Sequence, residues 1–219
     1  MRPRVKICGI RRLEDATLAA ELGADALGFV FWADSPRFID PYRAREIVRR
    51  LPPFVTTVGV FVDQPPEYVN GVADLLQLGA VQLHGHEALQ PYARSSYRVI
   101  KAVAVHDAID VSKELAAVPG VVTVLLDAHD PTKRGGTGQV IDWTQSAAAA
   151  RRRPIILAGG LTAANVRSAV ESVAPYAVDV SSGVEVSPAV KDPERLRAFF
   201  AALGELTGRG TVPLRGQSP

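Results

Sequence analysis

Two residues of this chain have the chemistry of a proton-transfer pair. Cys8, the single cysteine, stands in VKICGI, two residues after Lys6, and Asp127 closes the apolar run VVTVLLD. A thiolate accepts a proton well, but a free thiol ionises only near pH ~8.5, so a cysteine base needs positive neighbours. Lys6, on the same face of an extended segment, is placed to supply that field. Asp127 offers a carboxylic acid for the opposite transfer. Each residue also has a plainer reading: Cys8 as an inert buried thiol, and Asp127 as a loop carboxylate capping its own backbone.

Other stretches suggest what such a pair would act on. LAGGLTAANV (157–166) sets Gly159 and Gly160 between an apolar run and a helical one, and VDVSSGVE (178–185) does the same with Ser181, Ser182 and Gly183. Glycines permit close backbone approach, and amides at a helix start hold an anion, so two such turns in succession point to a phosphate ester. Side-chain charge is sparse there, and Glu185 would repel a phosphate, so backbone amides are the expected anchor. Arg37, in ADSPRFI, has the planar fork that suits a carboxylate, or else is a solvated surface residue. His84, in LHGHE, reads as a substrate contact or as a structural imidazole; with His86 it does not make a zinc site, and no metal ligand set is expected. KRGGTG (133–138) reads as a mobile flap beside Asp127 or a long turn.

These residues must be positioned by the elements around them. Short apolar, Val- and Ile-rich runs recur at 4–8, 25–31, 55–62, 80–84, 98–104, 121–127, 154–158 and 176–181. They are apolar on both faces, as strands covered on both sides tend to be. Between them lie segments of helical period: 13–22, 44–51, 165–173, and 192–203 with Asp192 as cap and Pro193 at the first helical position. Eight strands, each followed by a helix, predict an α/β fold of one domain, a (β/α)₈ TIM barrel over 1–207, with a doubly wound open sheet as the rival. Residues 208–219 read as a loose tail.

Alternation puts Lys6 with Cys8, Gln82 with His84, and Asp179 with Ser181 on shared strand faces. A lysine deep in a barrel needs a partner, so Lys6 is expected to meet a carboxylate from another strand. The polar face therefore looks inward, and reactive groups belong at the carboxyl ends of the strands. Cys8 ends the first and Asp127 the sixth.

Bulk properties exclude several classes. The 25 basic and 23 acidic residues give a net charge of +2, which is no footprint for nucleic acid. No apolar run reaches the ~18 residues of a membrane span, and the amino-terminal one is short for a signal peptide. One cysteine suits a reducing compartment, so a cytoplasmic protein is expected.

In chain order, KICGI, GADALGFVF, SPRFI, VGVFVD, VQLHG, LLDA, GGTG, LAGGL and VDVSSGVE resemble the phosphoribosylanthranilate isomerase family, from residue 5 to about residue 200. The resemblance implies a (β/α)₈ barrel that converts phosphoribosylanthranilate, an aminoaldose phosphate, to an aminoketose phosphate in tryptophan biosynthesis, without metal or organic cofactor; between monomer and homodimer the sequence leaves both open. It assigns Cys8 as general base, Asp127 as general acid, Arg37 to the anthranilate carboxylate, and the turns at Gly159–Gly160 and Ser181–Gly183 to the phosphate. Two departures touch loops: Val140, and Ala189 where the family more usually has glycine. The analogous histidine-pathway isomerase would show two similar halves and an acidic residue where Cys8 stands. A non-catalytic sugar-phosphate binder would not require both Cys8 and Asp127.

Overall fold

The structure, a computed structural model, describes residues 2–105, 110–127 and 143–204. Eight parallel strands close into a barrel in sequence order: β1 (Arg4–Cys8), β2 (Ala26–Val30), β3 (Thr56–Phe61), β4 (Ala80–Leu83), β5 (Arg98–Ala104), β6 (Thr123–Asp127), β7 (Ile155–Ala158) and β8 (Ala177–Val180). Closure is made by β1 against β8, with Lys6 opposite Asp179 in register. The barrel expected from the spacing of apolar runs is therefore the architecture found, and it leaves no sheet edge open.

The alternation within each strand decides two cores. Outward side chains such as Ile7, Leu27, Phe29, Val81, Leu83, Val124, Leu126, Leu157 and Val178 pack under the helices. Inward ones (Val58, Ala80, Ile100, Ala102, Leu125, Ile156, Ala158, Ala177) fill the barrel. Cys8, Val30 and Val60 form a small separate cluster. Lys6, Gln82 and Asp179 also face the interior side of their strands and are buried, which makes the barrel centre partly polar.

The connections differ from a strict alternation of strand and helix. Helices α1 (Leu13–Glu21), α2 (Pro41–Val48), α3 (Pro66–Leu76), α4 (Val111–Ala117), α5 (Thr144–Ala150), α6 (Val166–Val173) and α7 (Pro193–Gly204) join the strands, but β4 is followed by a single 3₁₀ turn at Gln90–Tyr92. That segment, rich in polar and small residues (HEALQPYARSS), lacks a continuous apolar stripe and cannot bury a full helix. Helix α2 begins three residues earlier than its hydrophobic pairs suggest. Asp40 accepts from the main-chain N–H of Tyr42 and Arg43, and Pro41 takes the first helical position. Asp192 caps α7 as expected, accepting from Glu194 and Arg195 N–H.

An element absent from the pattern of runs follows β8. A 3₁₀ turn (Ser182–Val184) leads into a two-stranded antiparallel hairpin, β9 (Glu185–Ser187) and β10 (Val190–Lys191). Ala189, at its tip, is buried and holds φ = +65°, in the left-handed region. The glycine-like loop conformation is thus kept without the glycine. The 133–138 segment, Val140 and the 208–219 tail lie outside the described residues.

Candidate active site at the carboxyl mouth of the barrel

Strand ends bring the chemistry together. Cys8 ends β1 and Asp127 ends β6, and β7 and β8 lie between them in the closed order. The two glycine turns that leave β7 and β8 therefore sit between the thiol and the carboxylate around the rim.

Cys8 is buried, with 9% of its surface exposed. Its neighbour on β2, Gly28, is opposite it in register, and a Cβ there would lie 2.9 Å from the Cys8 sulfur and 3.1 Å from Lys6 Nζ. Glycine at 28 makes the space in which both side chains stand. Lys6 Nζ donates to Asp179 Oδ2 at 2.8 Å, the carboxylate partner its burial demands. Burial opposes the Lys6 charge, but Asp179 and the Cys8 thiol outweigh it and hold the ammonium above its ordinary range. Lys6 does lower the Cys8 pKa, as its place on the same strand face led one to expect, but it does not decide the balance. Burial pushes the thiol up, and Asp179 adds to it; Lys6 and Lys191 oppose the rise without cancelling it.

Arg37 lies in the loop between β2 and α2 and reaches across the end of β1. Gly9, at φ = +79°, permits this, since a Cβ there would lie 2.6 Å from Arg37 Cδ. The guanidinium forms a bidentate pair with Glu185, Nε to Oε1 at 2.9 Å and Nη2 to Oε2 at 2.7 Å. A free fork for a substrate carboxylate is thus not what the structure presents. Nη1 is the nitrogen left for an incoming anion. Glu185 itself is buried, and despite the cost of burial its carboxyl is held below the usual range by Arg37 and Lys191. Far from confronting a phosphate, it is neutralised inside the wall.

His84 follows β4 and sits beside Asp127, with its Nε2 3.5 Å from Asp127 Oδ2. Gln82 Nε2 lies 2.9 Å from His84 Nδ1. With the amide donating, Nδ1 accepts and Nε2 carries the proton toward Asp127. His84 is thereby brought to the carboxylate as well as to the mouth.

The two glycine-bearing turns are built on backbone. Gly159 (φ = +91°) and Gly160 (φ = +62°) both occupy the left-handed region that other residues resist. Asn165 secures the turn, its Oδ1 accepting from Thr162 N–H at 2.8 Å and its Nδ2 donating to the Gly160 carbonyl at 3.0 Å. Helix α6 starts only at Val166, and the β8 turn is a 3₁₀ turn from Ser182, so neither turn opens an α-helix directly, contrary to expectation. A Cβ on Gly183 would come 1.9 Å from the Leu161 carbonyl oxygen. Glycine at 183 thus lets the two turns abut each other. Ser181 Oγ donates to the Cys8 carbonyl at 3.1 Å and joins this turn to the end of β1.

Among the described residues, no group of three or more His, Cys, Asp and Glu is arranged to hold a metal. No helix among them is long and apolar enough to cross a membrane.

Sequence reasoning missed Gly9, Gly28, Asn165 and Lys191. Gly9 had a signal in its place directly after β1, whereas Gly28 lies inside β2 and the role of Lys191 depends on a hairpin that no periodicity announces.

The model of the family "N-(5'phosphoribosyl)anthranilate (PRA) isomerase" matches residues 5–202. The N-(5'-phosphoribosyl)anthranilate isomerase of Pelobacter propionicus is 49% identical over 208 residues, 95% of this chain and 99% of that one. Among solved structures, the phosphoribosyl anthranilate isomerase of Thermotoga maritima superposes with a TM-score of 0.85 at 45% identity, covering 93% of this chain and 99% of that one. A phosphoribosyl anthranilate isomerase in complex with reduced 1-(o-carboxyphenylamino)-1-deoxyribulose 5-phosphate gives 0.82 at 43% identity, with the same coverage. Family model, relatives and solved structures agree over nearly the whole chain: the chain belongs to the N-(5'-phosphoribosyl)anthranilate isomerase family.

Proposed function

We propose that this barrel mouth converts N-(5'-phosphoribosyl)anthranilate to 1-(2-carboxyphenylamino)-1-deoxyribulose 5-phosphate, the Amadori rearrangement of tryptophan biosynthesis, with Asp127 as general acid and Cys8 as general base. The observation that carries the reading is the placement of Cys8 and Asp127 at the ends of β1 and β6, with the turns of β7 and β8 between them. A phosphate held at those turns leaves the ribose reachable from both sides.

Asp127 gives a proton to the furanose oxygen, and the C1–O bond breaks to leave an iminium at C1. That cation acidifies the C2–H, and the Cys8 thiolate takes its proton, forming an enolamine. Protonation at C1 and loss of the proton from the C2 hydroxyl yield the ketone and restore both residues. Acid–base groups of this kind contribute roughly 10²–10⁴-fold each. No nucleophilic adduct, metal or organic cofactor enters this scheme.

Gly159, Gly160, Ser181, Ser182 and Gly183 hold the phosphate, largely through main-chain amides. Arg37 receives the anthranilate carboxylate through Nη1, its orientation fixed by Glu185. His84 contacts substrate from the Asp127 side. The catalytic domain is assigned to residues 1–207. Neither nucleic acid nor membrane takes part, and every group named comes from one chain, so monomer and homodimer are equally competent. Such an enzyme works in the cytoplasm, where its one cysteine stays reduced.

Purified protein with N-(5'-phosphoribosyl)anthranilate and a chelator tests the reading by loss of anthranilate-conjugate fluorescence. Sustained turnover is expected. Binding without turnover would leave a sugar-phosphate-binding protein instead.

A further inference from the structure

The hairpin after β8 carries a buried lysine that the proton transfers do not use. Lys191 is 1% exposed. Its Nζ donates to the Cys8 carbonyl at 2.5 Å, to the Ser181 carbonyl at 3.2 Å and to Glu185 Oε1 at 2.8 Å. Those three bonds use all the donors an ammonium has. Its own main-chain N–H is held by Asp15 Oδ2 at 3.3 Å, and Asp15 is held in turn by the Arg12 guanidinium.

Each acceptor belongs to a different part of the mouth. The Cys8 carbonyl fixes the end of β1 from which the thiol projects. The Ser181 carbonyl begins the phosphate turn. Glu185 clamps Arg37. We propose that Lys191 is a positioning residue: from inside the wall it ties the thiol-bearing end of β1, the phosphate turn and the arginine clamp into one rigid unit, and its charge favours the Cys8 thiolate. This rests on the reading of Cys8 as the base.

The charges around Cys8 give the second half of the argument. Lys6 on β1 is matched by Asp179 on β8. On the other side, Arg37 and Lys191 share the one carboxylate of Glu185, and Lys191 Nζ stands on the Cys8 main-chain carbonyl, where its charge acts on the thiol. A buried lysine left with one shared carboxylate is costly. Burial indeed holds Lys191 below its ordinary range, with Glu185 opposing that fall. A carbon side chain of similar length would fill the space without the charge.

The test uses the fact that Cys8 is the only cysteine. The pH dependence of iodoacetamide alkylation reports its ionisation directly, while the kcat/KM profile reports the base in catalysis. In Lys191→Met and Lys191→Gln, the alkylation midpoint is expected to move to higher pH, the kcat/KM profile to follow it, and kcat/KM at neutral pH to fall on the order of tenfold or more. Lys191→Arg keeps the charge and should keep the wild-type midpoint. If the methionine variant does not fold, the glutamine and arginine variants carry the comparison. A wild-type midpoint in the uncharged variants, or an equal shift in the arginine variant, overturns the proposal. A shifted alkylation midpoint with an unmoved kcat/KM profile upholds the action of Lys191 on Cys8 and removes Cys8 as the base.

Discussion

Lys6 and Asp179 face each other in register across the seam that closes the barrel, joined at 2.8 Å and both buried. Their pairing decides how much of the lysine charge reaches Cys8 on the same strand. It also explains how a barrel interior accommodates an ammonium group at all.

Breaking this pair on one side should be far worse than removing it. Lys6→Met alone strands a buried carboxylate and is expected to cost about 3–5 kcal/mol, whereas Lys6→Met with Asp179→Leu should recover most of that loss. Urea unfolding of the two variants checks this. Equal losses in the single and double variants would mean that the pair is not what the stability depends on.

Gly28→Ala tests the space around the thiol. The added methyl would press on the Cys8 sulfur and on Lys6 Nζ, so turnover should fall by an order of magnitude or more, with the chain still folded. Gly71→Ala in α3 meets nothing within 4 Å and serves as the contrast. It should leave turnover unchanged and stabilise the protein by about 0.5–1 kcal/mol. Turnover and thermal melting of both variants provide the comparison.

Ala189 keeps a left-handed backbone at the tip of the hairpin that carries Glu185 and Lys191. Such a conformation costs an L-residue roughly 1–2 kcal/mol, part of which glycine recovers. Ala189→Gly is therefore expected to raise the melting temperature by a few degrees. A lower melting temperature would mean that the buried methyl contributes more than the strain costs.

The acid limb of stability should carry the signature of Glu185. Its folded pKa is lowered by Arg37 and Lys191 against the cost of burial. The stability it contributes is thus complete above the unfolded carboxyl value, about 4.3, and is lost as pH falls through the depressed folded value. Denaturant midpoints measured from pH 6 downward should decline below about pH 4 in the wild type and more gently in Glu185→Gln.

The barrel was legible because its signal is local and repeated: Val- and Ile-rich runs recur at a regular interval, and Cys8 and Asp127 fall at the ends of two of them. Their placement at one mouth follows from parallel topology alone. The Lys6 partner could be anticipated, since a buried ammonium requires a carboxylate, but not the consequence that Asp179 offsets its field on the thiol. Arg37 and Glu185 each carried a readable charge, yet their pairing is a contact across 148 positions that no spacing encodes. Lys191 was hidden further still. It belongs to a two-residue strand, too short for a period, and only the fold reveals that its ammonium ends among the carbonyls of Cys8 and Ser181.

The most direct test of the account is turnover of N-(5'-phosphoribosyl)anthranilate by Cys8→Ala and by Asp127→Asn, each shown to be folded and free of wild-type enzyme. If the two side chains carry the two proton transfers, each variant should lose at least two orders of magnitude in kcat. Near-normal turnover in either would contradict the role given to that residue, and in both would move the chemistry elsewhere in the mouth.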